Sequence, residues 1–173
     1  MKFLRSPRVW MAAWLALGLF ASAYLLVVYV TGGPIECGAD GGCEVVRASA
    51  WAYLGPVPRP LLGLAFYAAM LALLLLRALT PWQERRLRWL MLLLALVGFI
   101  ESAHLFYLQL AVIKAFCLWC LASGVATVGV LAAAVFDRAS LTESQRLDDL
   151  NGYAMVFAVL GLVGAPALFL LLR

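Results

Sequence analysis

Charged side chains are scarce in this sequence: Asp, Glu, Lys and Arg together make up 13% of 173 residues, and there is a single histidine. That is too little charge to cover the surface of a soluble domain of this length, so a soluble globular protein is excluded. No glycine-rich nucleotide loop, internal repeat or low-complexity tract is visible, and no ligand pattern for haem, flavin or an iron–sulfur cluster. A basic stripe interleaved with aromatics is also missing, which removes nucleic acid as a partner. The net charge of +4 comes from Lys and Arg at the ends of apolar runs, a pattern of membrane topology. What is present is 66% apolar residues and a mean hydropathy of +0.99, in stretches close to the roughly 20 residues that cross a bilayer as a helix.

Five spans are expected. Residues 9–30 are uncharged and follow Lys2, Arg5 and Arg8. Ala21-Ser22-Ala23 resembles a signal cleavage site, but the apolar run continues past it without a polar break, so the segment reads as a first span. Residues 60–76 open on a proline, which suits a first helical turn, and residues 77–88 read as the loop that follows. Residues 90–113 form a third span interrupted by Glu101, His104 and Gln109, residues 115–136 a fourth, and residues 150–172 a fifth. The expected class is an all-α membrane protein: a four-helix core over residues 1–136 with an outside loop at 31–59, a cytoplasmic linker at 137–149, and a fifth transmembrane helix at 150–173.

Orientation follows from Lys and Arg near the span ends. With the N-terminus cytoplasmic, the inner segments carry nine of them, including Arg77, Arg85, Arg86 and Arg88, against Arg47, Arg59, Lys114 and Arg173 outside. Both cysteine pairs and the C-terminus then face the outer side of a cell membrane.

The four cysteines divide into Cys37 with Cys43 and Cys117 with Cys120. Cys117-Leu118-Trp119-Cys120 stands at the start of a span, where unpaired N–H groups and the helix dipole favour a thiolate. A structural disulfide or a soft-metal site are the alternatives for this motif. Cys37 and Cys43 enclose Gly38-Ala39-Asp40-Gly41-Gly42, too glycine-rich for a rigid element, so a mobile sulfur pair or a small stapled loop is expected. Two pairs on one membrane face can exchange electrons, because thiol–disulfide exchange needs only that sulfurs meet. A lipid-soluble quinone is the economical acceptor, and Phe66, Tyr67, Phe106, Tyr107, Phe116 and Trp119 are available either to line a pocket for it or simply to pack. Glu101 and His104 share a helix face, with Glu101 about 18 Å from Ile113 and so near mid-membrane. They are read as a proton route or as an internal pair that fixes the bundle.

The ordered set of Cys37, Cys43, Ser49-Ala50-Trp51 and the C-x-x-C, with Gly63 to Tyr67 opening the second span, resembles the vitamin K epoxide reductase family in its bacterial form. The resemblance implies a four-helix fold and a quinone-dependent thiol–disulfide oxidoreductase supporting disulfide-bond formation. Cys117 and Cys120 would be the active pair beside a quinone of menaquinone or ubiquinone type, with Cys120 acting on it. Cys37 and Cys43 would be a shuttle pair, Cys43 meeting a thioredoxin-like partner and Cys37 relaying to Cys117. Ser49, Trp51, Phe66, Tyr67, Phe116 and Trp119 are the expected quinone contacts, with Ser49 to Trp51 on a short half-helix capping the pocket or on a surface helix anchored by Trp51. Where the animal enzymes carry an asparagine and a tyrosine, Arg59 and Gly124 stand here, which leaves epoxide reduction in doubt. Because the sequence stops at Arg173, the thioredoxin-fold partner is expected to be a separate chain. The rivals are a DsbB-type quinone-linked disulfide oxidase, in which the order of the two cysteine pairs is reversed, and a soft-metal membrane carrier.

Overall fold

A computed structural model of the chain describes residues 7–37, 41–80 and 83–139. The expected fifth span and most of the 137–149 linker lie outside these residues. The elements run α1 (Pro7–Thr31), α2 (Gly42–Ala48), a single 3-10 turn (Ala50–Ala52), a hairpin of β1 (Tyr53–Leu54) and β2 (Val57–Pro58), α3 (Arg59–Leu79), α4 (Glu84–Tyr107) continued by a π-helical turn (Leu108–Ile113), and α5 (Leu118–Ala139). Four helices are long and apolar enough to cross a membrane. This is an all-α membrane protein with one small hairpin.

The long helices close a ring in which α1 packs on α3, α3 on α4, α4 on α5 and α5 back on α1. Met11 and Leu15 of α1, Tyr67 and Met70 of α3, Met91 and Ala95 of α4 and Ala126 and Val130 of α5 fill its centre. Lipid is as apolar as these side chains, so close packing and internal hydrogen bonds hold such a bundle together. Tyr67 supplies both. Its ring lies against Gly18, where a Cβ would collide with it, and its hydroxyl bonds Thr127 Oγ1 at 2.8 Å and donates to the Ser123 carbonyl at 2.6 Å.

Helix ends differ from the sequence expectation because charges thought to mark loops are neutralised within helices. Arg77, expected in a connecting loop, lies in the last turns of α3 with its guanidinium on Asp137 at 2.6 and 3.0 Å and on Glu84 at 3.0 Å. Arg88 reaches Glu84 at 2.9 Å and the Asp137 carbonyl at 2.7 Å, and Arg8 reaches Glu84 at 2.7 Å. Paired in this way, the ions no longer need water, so α3 runs to Leu79 and α4 starts at Glu84, six residues before the expected Leu90. This cluster ties all four long helices at one end of the bundle.

The opposite end carries the sulfurs and the cap formed by α2, the 3-10 turn and the hairpin. The fourth span begins at Leu118 instead of Ala115, because Lys114 takes a left-handed conformation (φ 56°) that ends the π-helix.

Candidate active site

The loop pair is more ordered than its glycines suggest. Cys43 sits in the first turn of α2, 0% exposed, bonded to Cys37 with Cα atoms 5.8 Å apart. A Cβ on Gly42 would strike the Phe116 carbonyl, so only glycine lets α2 start against the turn leading into α5. That approach puts Cys43 and Cys117 in one buried cluster with Leu25, Val28, Ile35 and Val46. The residues before Cys37 are held from three sides. Ile35 N–H donates to Glu44 at 3.0 Å, Glu36 N–H to the Tyr24 hydroxyl at 3.1 Å, and Trp119 Nε1–H to the Glu36 carbonyl at 2.8 Å. Arg47, paired with Glu44 at 2.6 Å, donates to the Gly33 carbonyl at 2.8 Å.

Cys117 and Cys120 are free thiols. Cys117, 1% exposed, precedes α5 and accepts the Cys120 N–H at 3.3 Å. Its thiol is held below the usual thiol range, chiefly by the Cys120 thiol and then by the N–H groups of Cys120 and Trp119, against an opposing push from burial. The neighbouring Leu118 N–H donates to Cys37 Sγ at 3.4 Å. The open N–H groups of a helix start are therefore shared between both sulfur pairs.

Cys120 faces another way. It lines a cavity of about 650 Å³ between α1, α3, α4, α5 and the cap, within the usual size of a small-molecule site. Trp51, Phe66 and Tyr67 of the expected contacts line it as well. The other three do not: Ser49 turns its hydroxyl to the Val46 carbonyl at 2.7 Å, Phe116 leans on Phe106, and Trp119 stacks on Tyr24 while tethering Glu36. Ser49 was expected here from the Ser-x-Trp resemblance and Phe116 and Trp119 as aromatics near the outer face, and neither signal selects the side that looks into the bundle.

Arg59 and Gly124 both line the cavity. Arg59 forms an ion pair with Glu101, also in the wall, and His104 Nδ1 lies 3.8 Å from Glu101. Because Arg59 is the first residue of α3, Glu101 stands within one side chain's reach of that helix's start. Gln109 also lines the cavity, and its Oε1 accepts the Cys117 N–H at 2.7 Å. In the sequence it was visible only as a polar interruption of an apolar span.

The relay order expected for the loop pair also meets a difficulty of access. Cys43, expected to meet the partner, is fully buried, and Cys37 is the half-buried sulfur. Among the described residues no three His, Cys, Asp or Glu side chains gather as a metal-binding group.

A model of the vitamin K epoxide reductase family matches residues 9–135, from the first turn of α1 almost to the end of α5. The match passes through all four cysteines and through every element that touches the cavity. The chain thus belongs to the vitamin K epoxide reductase family and is a multi-pass membrane oxidoreductase acting on thiols.

Proposed function

We propose that this protein takes two electrons from a thioredoxin-fold thiol protein and passes them through Cys37–Cys43 and Cys117–Cys120 to a quinone, sustaining disulfide formation outside the cytoplasmic membrane. One observation carries the reading: Cys120 lines an apolar cavity of ligand size, while Cys117, three residues earlier, is buried with Cys43. A pair placed in this way can receive electrons on one side and release them on the other.

The partner's thiolate attacks the loop disulfide at Cys37, the less buried residue of the pair, and Cys43 leaves as a thiolate beside Cys117. The donor's second thiol releases the loop as a dithiol, and exchange then moves the disulfide from Cys117–Cys120 to the loop, in reverse of the electrons. With the loop pair bonded and the inner pair reduced, the relay is loaded for quinone reduction. Closing Cys117–Cys120 releases two electrons and two protons, and a quinone becoming a quinol takes up both. Trp51, Phe66 and Tyr67 would hold the ring, and the bundle walls keep water from the exchange. With Arg59 and Gly124 in the wall, where the animal enzymes carry an asparagine and a tyrosine, the reading extends to quinone reduction alone.

The test is to add a reduced thioredoxin-fold donor and a short-chain quinone to purified protein, following thiol loss and quinone reduction together. Equal loss of dithiol and quinone is expected, abolished in Cys37→Ala, Cys43→Ala, Cys117→Ala and Cys120→Ala. Full activity toward the protein donor in the loop variants would overturn the relay. Metal copurifying at stoichiometry, with no quinone reduction, would favour the carrier reading.

A further inference from the structure

Residues Leu108–Ile113 wind as a π-helix, a form that is rare outside functional sites, and they carry one polar side chain, Gln109, 3% exposed. Both ends of this residue are used. Its main-chain carbonyl accepts the N–H of Lys114 and, at 3.2 Å, of Ala115, closing the turn into α5. Its side-chain oxygen accepts the Cys117 N–H at 2.7 Å.

The second contact fixes the amide's orientation, since a backbone N–H can only donate and must face Oε1. Nε2 therefore lies on the other branch. It carries two hydrogens, and its partner among the described residues is the Leu105 carbonyl at 3.5 Å, the outer limit of a hydrogen bond. At least one N–H is left over in a residue that lines the cavity beside Cys120. A buried donor without an acceptor costs about 1–3 kcal/mol, a cost that a ligand's carbonyl oxygen would relieve.

We infer that Gln109 couples the sulfur pair to the quinone: its oxygen positions Cys117 through the backbone, and its amide N–H donates to a carbonyl oxygen of a quinone seated beside Cys120. This inference rests on the quinone reading above. As Cys117 and Cys120 close to a disulfide, two electrons and two protons pass to the quinone, and charge builds transiently on its oxygens. A donor already aimed at that oxygen binds the charged form more strongly than the neutral one. Gln109 is thus a binding residue toward quinone and a positioning residue toward Cys117.

Two variants separate these roles. Gln109→Glu keeps the acceptor for Cys117 and, when ionised, loses the donor; Gln109→Leu loses both. Both should raise the quinone KM about tenfold, whereas Gln109→Leu should in addition slow exchange of Cys117–Cys120 with a small dithiol about tenfold, an assay that needs no quinone. Binding of a short-chain quinone to the Cys117→Ser/Cys120→Ser protein, with and without each substitution, reads the donor alone and does not depend on turnover. Unchanged quinone binding in both variants overturns the inference, and so does an equal exchange defect in the two. Failure of the parent protein to bind quinone overturns the functional reading itself, and the inference falls with it.

Discussion

The Cys37 sulfur accepts the backbone N–H of Leu118, 81 residues further along the chain, at 3.4 Å. The contact places the shuttle sulfur on the open start of the helix that presents Cys117 and Cys120. What brings it there is Gly42, whose missing side chain lets α2 rest on the Phe116 carbonyl.

Gly42→Ala should therefore break the meeting of the two pairs. The added carbon must push α2 away from the Phe116 carbonyl and take Cys43 with it. We expect oxidation of a protein donor to fall at least about tenfold, the effect of roughly 1.4 kcal/mol on the exchange step. Small dithiols that reach Cys117–Cys120 directly should be affected less. Equal loss with both donors would show that the variant damages the bundle and not the relay.

The Cys117 thiol should react as a thiolate at lower pH than an ordinary thiol. The largest cause is the Cys120 thiol, whose hydrogen bond favours the charged sulfur. A group that stabilises the thiolate lowers the pKa, so removing it raises the pKa. Cys120→Ala should move the midpoint of Cys117 modification by a small thiosulfonate, which forms a mixed disulfide and releases sulfinate, to higher pH, measured against the reduced parent protein. A midpoint that stays in place would assign the shift to the backbone N–H groups alone.

Stability at the far end should depend on Arg77, 3% exposed, and Asp137, 6% exposed. Arg77→Leu removes the bidentate partner of a buried carboxylate that keeps the Arg88 guanidinium at 3.6 Å, and about 3 kcal/mol of stability should be lost. Arg77→Leu with Asp137→Leu should regain a large part of it, because the carboxylate that lost its bidentate partner is then gone while Arg88 keeps Glu84. Thermal unfolding in detergent reads both, and a double variant no more stable than the single one would contradict the account.

Orientation is testable on intact cells. With the N-terminus of α1 in the cytoplasm, an impermeant maleimide applied after mild reduction should label Cys37. With Cys43→Ala in this chain and the resolving cysteine of the donor replaced, a reducible mixed disulfide should form through Cys37. Labelling only after lysis would invert the membrane orientation. Trapping through Cys43 in the Cys37→Ala protein, with none through Cys37, would restore the order first expected from the sequence.

The sequence alone determined that this is a helical membrane protein, because hydropathy and charge spacing act locally: a run of about 20 apolar residues has few other solutions in water or lipid. It also determined which sulfurs belong to which pair and that the inner pair opens a helix, since C-x-x-C spacing and span boundaries are short-range. Tertiary structure decided the rest. Whether Arg77 ends a helix depended on Asp137, 60 residues away. Which aromatics line the cavity depended on helix rotation, which placed Phe66 and Tyr67 inward and spent Trp119 on Glu36. The burial of Cys43 followed from the contact between Gly42 and Phe116, and the use of Gln109 from a π-turn that shifts one helix face by a residue. Each of these is a choice between faces made by a distant partner, so no pattern along the chain encodes it locally.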